Sequence, residues 1–410
     1  MISFEKSMEL LNSIEIAPTN IVKLNLMDTQ GYILAKDIVA DYNSPEFPTS
    51  AMDGYAIKFD DMQLKKLPIQ SINPAGADDI KELVGGKVIK TFTGSLMPKG
   101  SDTLIPIENV EVDGNYIVIN EEVPFGFSVR DIGENFKKGE VLIKAGTKIG
   151  FEEIAVLASL NYVQVEVFAQ PKVAVIATGE ELLELGEEQT RPTQIRSSNN
   201  YTIEALAKEH NANVTNFGCI GDDIEKLKSV FKDALKSNDI VVSTGGVSVG
   251  DFDFVKDIVR DELGAKVVFK GVVIKPGQHI MVATVDNKTI IALPGFAYSS
   301  TVTALVYLLP ILYRYQGSSY EMPIVAAVLE EDYKKKSKKT EFATCNVRLE
   351  DGEIKINFKG KKDGTSAIMT NMLGGGALTY LTERESSKKR GDLINIFLYQ
   401  YKGSVKWIIL

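Results

Sequence analysis

Residues 238–254 read Asn238-Asp-Ile-Val-Val-Ser-Thr-Gly-Gly-Val-Ser-Val-Gly-Asp-Phe-Asp-Phe254 and give the strongest indication of the fold. Residues 239–243 are a short apolar, β-branched run, which is typical of a buried parallel strand. The run ends in Thr-Gly-Gly at 244–246, where the chain can turn tightly and bring main-chain amides close to a ligand. A helix is predicted over residues 254–263, with its N-terminal dipole pointing toward the same turn. The stretch therefore predicts a strand, a phosphate-binding turn and a helix.

Two acidic residues, Asp251 and Asp253, follow this turn at once. Carboxylate oxygens are the ligands that Mg²⁺ prefers in proteins. A phosphate seat beside such ligands indicates a nucleotide-like substrate handled with a divalent cation. Gly-rich turns also occur in ordinary β–α connections, so an ordinary structural turn remains the alternative for this motif alone.

Strands and helices alternate over the surrounding residues 171–318. A strand is predicted over residues 172–177, helices over 199–211 and 223–236, and a further strand over 267–274. This alternation is typical of a doubly wound α/β domain with a parallel sheet. Ligands bind such sheets at the carboxyl ends of the strands, near the point where the strand order reverses.

The remaining regions are predicted to be helical or β-rich, so the fold class is α/β plus β-rich domains. Hairpin signals lie at residues 112–115 and 349–353. The predicted domains are a helical frame over 1–44 and 141–170, a β-rich inserted domain over 45–140, the α/β domain over 171–318, and a C-terminal β-barrel over 319–410. The lysine-rich run at 334–339 is interpreted as a solvated strand connection, with an anion-contact site as the alternative.

Composition excludes several classes of function. The formal charge of −9 argues against a nucleic-acid or anionic-membrane partner. The N-terminus does not resemble a signal peptide, and the longest apolar stretch, residues 301–313, is interrupted by Pro310 and is too short to span a bilayer. The two cysteines, Cys219 and Cys345, fit a reducing compartment, so we expect a cytoplasmic protein.

A metal in this chain is expected to be held by oxygen. His210 and His279 are the two histidines of the sequence, which excludes a multi-histidine site and points to Mg²⁺. Polar residues stand at five predicted strand ends or turns, and those ends are expected to converge on one edge of the sheet: Thr178-Gly-Glu-Glu181, Gly221-Asp-Asp223, Thr244 to Asp253, Ile274-Lys-Pro-Gly277 and Leu293-Pro-Gly295. Each one singly has a helix cap or Gly/Asp turn as its alternative.

The residue types at these ends suggest their chemistry. Glu181, Asp222 and Asp253 supply hard oxygen ligands for Mg²⁺. Lys275 offers a cation to a polyphosphate or an oxyanion, although a single lysine is more often a solvated surface group. The phosphate is expected on main-chain amides of the turn, those of Gly245, Gly246 and Ser248.

These segments, with a second unusual string at Ser50-Ala-Met-Asp-Gly-Tyr-Ala56, resemble the molybdopterin molybdenumtransferase family, the molybdenum insertases, which is related to the C-terminal part of gephyrin. The matching strings occur in the family's order and also include Thr93-Gly94, Val129-Arg130, Gly133-Glu134, Ala177-Thr-Gly179, Ser198-Asn199, Ser243 to Gly250, Lys275-Pro-Gly277 and Leu293-Pro-Gly295.

The resemblance implies an elongated homodimer with four domains per chain. The active site would lie between the α/β domain of one chain and the β-rich domain of the other. The implied reaction inserts molybdate, or alternatively tungstate, into the dithiolene of adenylylated molybdopterin and releases AMP with the help of Mg²⁺. The implied catalytic residues are Asp53, Asp222, Asp253 and Lys275, and the implied metal ligands are Glu181, Asp222 and Asp253. The implied substrate-binding residues are Thr93, Arg130, Thr178, Gly179, Ser198, Asn199, Ser243, Thr244, Gly245, Gly246, Ser248, Gly250, Pro294 and Gly295.

The chain departs from the family at several of these positions. The family usually has Lys-Pro where this chain has Gln278-His279, and Asn-Pro where it has Phe296-Ala297. These changes remove a positive charge and hydrogen-bonding capacity from the expected anion site. Two hypotheses therefore stand: a working insertase, and a divergent paralogue that binds pterin, nucleotide or a partner insertase without turnover. An unrelated nucleotide hydrolase would leave Asp53 and Arg130 without a role.

Overall fold

The structure, a computed structural model, describes residues 1–77, 79–246, 254–350, 352–362 and 366–400. The chain divides into two compact units. The larger unit is formed by residues 1–35, 146–154 and 163–410, and the smaller unit by residues 36–145 and 155–162. The finer division into four domains stays a prediction. Among the described residues, no helix is long and apolar enough to cross a membrane.

The larger unit contains the predicted doubly wound α/β domain. Its sheet has six strands, in the spatial order Asn213–Ile220, Lys172–Thr178, Ile240–Thr244, Lys288–Leu293, Met281–Val285 and Lys266–Lys270. The first four are parallel, and the last two are joined antiparallel. The strand at 172–178 lies between the two strands of this sheet that follow it along the chain, at 213–220 and 240–244, so the strand order reverses there. Its carboxyl end is therefore the expected ligand-binding position.

Both faces of this sheet are buried, which explains its nearly continuous apolar strands. Alternate residues of the strand at 172–178 point to opposite faces. Val173 and Val175 pack into one hydrophobic core, and Ala174 and Ile176 pack into another. Packing on both faces holds the strands in place, and therefore also the turns that follow their carboxyl ends.

Helices of the larger unit pack apolar faces against these cores. The helix Ile224–Ser237 begins where the Asp223 side chain accepts a hydrogen bond from the main-chain amide of Lys226, and it buries Leu227 and Phe231. The other described helices are Phe4–Asn12, Phe151–Ser159, Asn199–Glu209, Phe254–Asp257 followed by a π-helical turn at Ile258–Glu262, and a buried run made of Ala297–Thr303, the π-helical Ala304–Leu308 and Leu309–Tyr315.

The predicted strand over 267–274 is wrong in its extent. The edge strand of the α/β sheet ends at Lys270, and Ile274–Lys275 forms a separate two-residue strand that pairs in parallel with the strand at 340–350. The sequence interpretation also missed the hairpin that joins the strands at 281–285 and 288–293. Its turn residues Asp286 and Asn287 have φ values of 46° and 62°, the left-handed geometry of tight hairpin turns. Because the strand at 274–275 pairs with the strand at 340–350, the C-terminal sheet positions Lys275.

The predicted C-terminal β-barrel is confirmed. Its five strands are Ile324–Leu329, Thr340–Glu350, Glu353–Asn357, Gly376–Leu381 and Leu393–Leu398. The sheet closes because the strand at 340–350 pairs antiparallel with both the strand at 353–357 and the strand at 376–381. Closure leaves this small barrel without open edges. The predicted hairpin at 349–353 joins two of these strands, although its Asp351 lies outside the described residues.

The smaller unit is β-rich, as predicted. Its six-stranded sheet has the order Thr103–Pro106, Gly54–Ile57, Val88–Thr91, Lys66–Asn73, Tyr116–Ile119 and Val110–Asp113. The last two strands form the hairpin predicted at residues 112–115. Short paired strands complete the described chain: Thr49–Ser50 with Val129–Arg130, Ile38–Val39 with Val141–Ile143, Ile21–Asn25 with Gln164–Phe168, and Leu182–Leu183 with Ile195–Arg196.

Candidate functional site

A cleft of about 730 Å³ lies at the carboxyl edge of the α/β sheet, within the larger unit. It forms there because the strands at 172–178, 240–244 and 288–293 are hydrogen-bonded side by side and end nearly in register. The predicted site residues that line it are Thr178, Gly179, Glu181, Asn199, Asp222, Thr244, Gly245, Gly246, Lys275, Pro294 and Gly295.

The floor of the cleft is the turn at Gly245 and Gly246. Both residues have left-handed backbones, with φ values of +91° and +66°. A Cβ atom on Gly245 would lie 2.6 Å from the main-chain oxygen of Thr178. The Gly245 amide donates to the main-chain oxygen of Leu293 at 3.1 Å. Gly245 therefore shapes the turn, and its own amide, which was expected to hold a phosphate, is used within the sheet and is not free to do so.

Replacing Gly245 with Ala is expected to lower the free energy of unfolding by about 2 to 3 kcal/mol, because the added methyl group meets both a forbidden φ and a backbone oxygen. Gly186 gives a matched control: its φ is +88°, but nothing lies within 4 Å of an added Cβ. Gly186→Ala is expected to cost about 1 kcal/mol. Urea denaturation measures both. Equal losses in the two variants would contradict the close approach at Thr178.

Two predicted metal ligands, Glu181 and Asp222, line this cleft from neighbouring loops. The loops are joined because the main-chain amide of Asp222 donates to Oε1 of Glu180 at 2.9 Å. In the described part of the chain, no three His, Cys, Asp or Glu side chains form a metal-binding cluster. Mg²⁺ is commonly held by one or two carboxylates, with substrate phosphates and water completing its shell. The pair therefore fits Mg²⁺ held jointly with a substrate.

Three residues of the predicted site lie outside the described residues: Ser248, Gly250 and Asp253. Asp253 was expected to be the third metal ligand, and Ser248 and Gly250 were expected to belong to the phosphate-binding turn. Their predicted roles stay predictions.

A polar contact that the sequence interpretation missed holds the loop that carries Glu181. Glu184 accepts hydrogen bonds from the Tyr201 hydroxyl at 2.7 Å and from the Cys219 amide at 2.6 Å. Burial favours its neutral acid, but these hydrogen bonds outweigh burial and hold the pKa of Glu184 below its ordinary value. Burial raises the pKa of the Cys219 thiol to about 11, so this thiol is not a nucleophile at neutral pH. No local spacing signals this contact, because its residues come from three separate elements.

Lys275 reaches the cleft from its pairing with the C-terminal barrel. Its ammonium lies 3.6 Å from Oε2 of Glu341, and the two side chains are 41% and 5% exposed. Glu341 also accepts hydrogen bonds from the Tyr333 hydroxyl at 2.6 Å and from the Ser337 hydroxyl at 3.2 Å. A buried, well-anchored carboxylate therefore positions a half-exposed cation at the cleft.

Two residues of the predicted α/β site do not line the cleft. Ser243 is fully buried in its strand, and its hydroxyl has no hydrogen-bond partner among the residues described. Ser198 is exposed just before the helix at 199–209, whereas the next residue, Asn199, donates from Nδ2 to the Gly295 oxygen at 2.7 Å. Phe296, one of the departures from the family, lies at the cleft lining and is 61% exposed, so its ring does not fill the cleft.

The predicted residues of the smaller unit take part in two local contacts. Asp53 precedes the strand at 54–57, and Thr93 follows its antiparallel neighbour at 88–91. Oδ1 of Asp53 therefore accepts from the amide of Thr93 at 2.8 Å and from its hydroxyl at 2.7 Å. These hydrogen bonds lower the pKa of Asp53. Arg130 ends the short strand at 129–130, and its Nε donates to Oε1 of Glu134 at 2.9 Å.

Comparison with known proteins agrees with this architecture. The model of the MoeA N-terminal region, domains I and II, matches residues 2–161, and that of a probable molybdopterin-binding domain matches residues 174–314. The crystal structure of a molybdopterin biosynthesis MoeA protein from Pyrococcus horikoshii OT3 is similar, with a TM-score of 0.82, 27% identity, and coverage of 97% of this chain and 100% of that one. The fold and the cleft thus define a multidomain protein with a molybdopterin-binding-type α/β domain.

Curated relatives extend this similarity over nearly the whole chain. The molybdopterin molybdenumtransferase of Staphylococcus epidermidis is 31% identical over 397 residues, which cover 95% of this chain and 94% of the relative. The molybdopterin molybdenumtransferase of Haemophilus influenzae is 29% identical over 92% of this chain and 94% of its own length. The chain belongs to the molybdopterin molybdenumtransferase family, as its sequence motifs indicated.

Proposed function

We propose that this protein is a transferase of molybdenum cofactor biosynthesis that inserts molybdate into adenylylated molybdopterin and releases AMP. One observation supports this most strongly. A single cleft at the strand-order reversal joins the Gly245-Gly246 turn, the carboxylates of Glu181 and Asp222, and the ammonium of Lys275. An anion-binding turn, hard oxygen ligands and a cation are what a phosphate-bearing substrate and an oxyanion require.

The residues of the cleft have distinct proposed roles, which follow from their chemistry. Glu181 and Asp222 would hold Mg²⁺, which when bound neutralises charge on the phosphate oxygens. The turn after Gly245 seats the AMP phosphate on main-chain amides. Lys275, held by Glu341, offsets the negative charge of the oxyanion. Asn199 fixes the loop at 294–295 beside them through its hydrogen bond to Gly295.

The predicted site residues of the smaller unit belong to this proposal through a second copy of the chain. Asp53, Thr93 and Arg130 are proposed to face the cleft of the partner in a homodimer. The hydrogen bonds from Thr93 keep Asp53 ionised, so it can orient a cationic or hydrogen-bond-donating group of the pterin. Glu134 holds Arg130 in place.

The direct test supplies purified protein with adenylylated molybdopterin, molybdate and Mg²⁺ and follows AMP by chromatography. AMP release well above a control without protein is expected, and omission of Mg²⁺ is expected to lower it. Parallel reactions with tungstate establish which oxyanion is preferred. Pterin binding without AMP release would instead support the non-catalytic paralogue, the hypothesis that Gln278-His279 and Phe296-Ala297 motivate.

A further inference from the structure

The lysine-rich run at 334–339 connects two strands of the barrel, as predicted, and it also contributes a side chain to the cleft. Lys339 lines the cleft, and its ammonium donates a hydrogen bond to Oε1 of Gln278. Lys335 of the same run is held elsewhere, by the main-chain oxygens of Thr382 and Glu385. Lys338 is exposed. The lysines of this run therefore have different surroundings, and Lys339 is the one that lies at the proposed anion site.

Gln278 is oriented by its contacts on both ends of the carboxamide. Its Oε1 accepts from Lys339, so its amide nitrogen faces Nε2 of His279 at 2.7 Å. An amide nitrogen is a donor, so the His279 ring nitrogen lies where it can accept from Gln278. The main-chain oxygen of Gln278 accepts from the Val272 amide at 2.9 Å. Backbone and side chain of Gln278 are thus both fixed.

Strand pairing delivers two lysines to one cleft. Ile274–Lys275 pairs in parallel with Thr340–Glu341, so Lys339 directly precedes the paired segment. Lys275 lies against the carboxylate of Glu341, which offsets part of its charge. Lys339 instead contacts a neutral carboxamide, which orients its ammonium without cancelling its charge.

We propose that Gln278 is a positioning residue that holds the Lys339 ammonium at the cleft as a second cation beside Lys275, for a tetrahedral oxyanion. This inference rests on the proposed function and adds a residue to it. Molybdate and the phosphate of AMP share the required chemistry, a compact anion that accepts charge-assisted hydrogen bonds. Lys339 supplies at this point the positive charge that the side chain of Gln278 lacks.

Calorimetric titration of the full-length chain in Mg²⁺, with molybdate and with AMP separately, tests the proposal. Lys339→Gln is expected to weaken binding of one of these anions about tenfold, the loss typical of a charge-assisted hydrogen bond. The affected anion identifies which oxyanion the pair binds. Gln278→Leu is expected to weaken the same anion about fivefold, because the ammonium is retained but no longer held. Lys338→Gln, with the same change of charge, is expected to leave binding unchanged.

The double variant Gln278→Leu/Lys339→Gln distinguishes positioning from independent effects. If Gln278 acts through Lys339, the double variant binds no more weakly than Lys339→Gln alone. Losses that multiply in the double variant, unchanged binding in Lys339→Gln, or an equal loss in Lys338→Gln would each overturn the proposal.

Gln278→Glu provides a second test in case the leucine variant does not fold. A carboxylate at this position keeps the contact with Lys339 but neutralises its charge, so the loss of binding is expected to match that of Lys339→Gln. In turnover, the KM for the affected substrate is expected to rise while kcat changes little. Wild-type protein that binds both anions but releases no AMP would defeat the proposed function and leave this inference standing.

Discussion

Replacing Asp222 with Asn is expected to lower AMP release about a hundredfold, because a neutral amide is a poorer Mg²⁺ ligand than a carboxylate and leaves charge on the phosphate unneutralised. Of the metal ligands predicted from the sequence, Asp222 and Glu181 lie among the described residues and line the cleft. The Mg²⁺ concentration for half-maximal rate is expected to rise in the same variant. A titration of the initial rate against Mg²⁺ measures both effects.

Asp233→Asn is a suitable control for this prediction. Asp233 lies on the exposed face of the helix at 224–237, where it pairs with Lys236. An exposed ion pair of this kind contributes little to stability, so rate and Mg²⁺ dependence should stay at wild-type values. If Asp222→Asn retained the wild-type Mg²⁺ dependence, the assignment of Asp222 as a metal ligand would be wrong.

Replacing Lys275 with Met is expected to lower AMP release by about a hundredfold as well, since it removes a preorganised cation from the point where the oxyanion is bound. The fold should be retained, because Lys275 is 41% exposed and Met keeps much of its apolar length. The loss should appear in kcat more than in the KM for the pterin substrate, because the ammonium acts on the oxyanion. Steady-state kinetics with AMP as the product separate the two parameters.

Glu341→Gln provides the companion measurement for Lys275. Gln keeps the shape of the side chain and the acceptor for Tyr333 but removes the negative charge that holds the ammonium. An intermediate loss is expected, smaller than that of Lys275→Met. A Lys275→Met variant with wild-type kcat would remove this lysine from the mechanism, whatever the result for Glu341.

Local pattern was sufficient for the part of the site built by the parallel strands. The apolar run at 172–177 and the Thr-Gly-Gly turn at 244–246 both carry their signal within a few residues. Their side-by-side placement follows from the general topology of doubly wound sheets. The cleft at the strand ends was therefore predictable, and the described residues at Thr178, Glu181 and Asp222 line it together.

The parts that sequence reasoning missed depend on contacts between distant segments. Gln278 and Lys339 are 61 positions apart and meet because the two-residue strand at 274–275 pairs with the start of the barrel strand at 340–350. Neither residue has a local pattern that reveals the partner. The Asp286-Asn287 turn is a hairpin signal in principle, but no hairpin was predicted at these residues.

Asp53 and Thr93, which are in contact, were predicted to share a site only from the family resemblance and not from a local sequence pattern. The two residues are 40 positions apart, and the sequence placed them in one site through family resemblance alone. The structure gives the physical reason for their proximity: the antiparallel register pairs Gly54 with Thr91, which sets the flanking residues at the same sheet end. Sheet register is set by pairing of whole strands, so single residues do not reveal it.

The proposed function requires one cleft to hold the AMP phosphate, the metal and the oxyanion together. A crystal structure of the protein grown with AMP, Mg²⁺ and molybdate tests it most directly, since the anomalous signal of molybdenum locates the oxyanion. We expect the phosphate at the turn after Gly245, Mg²⁺ between it and the carboxylates of Glu181 and Asp222, and molybdenum beside Lys275. Phosphate and molybdenum density on other surfaces, with this cleft filled by solvent alone, would contradict the account.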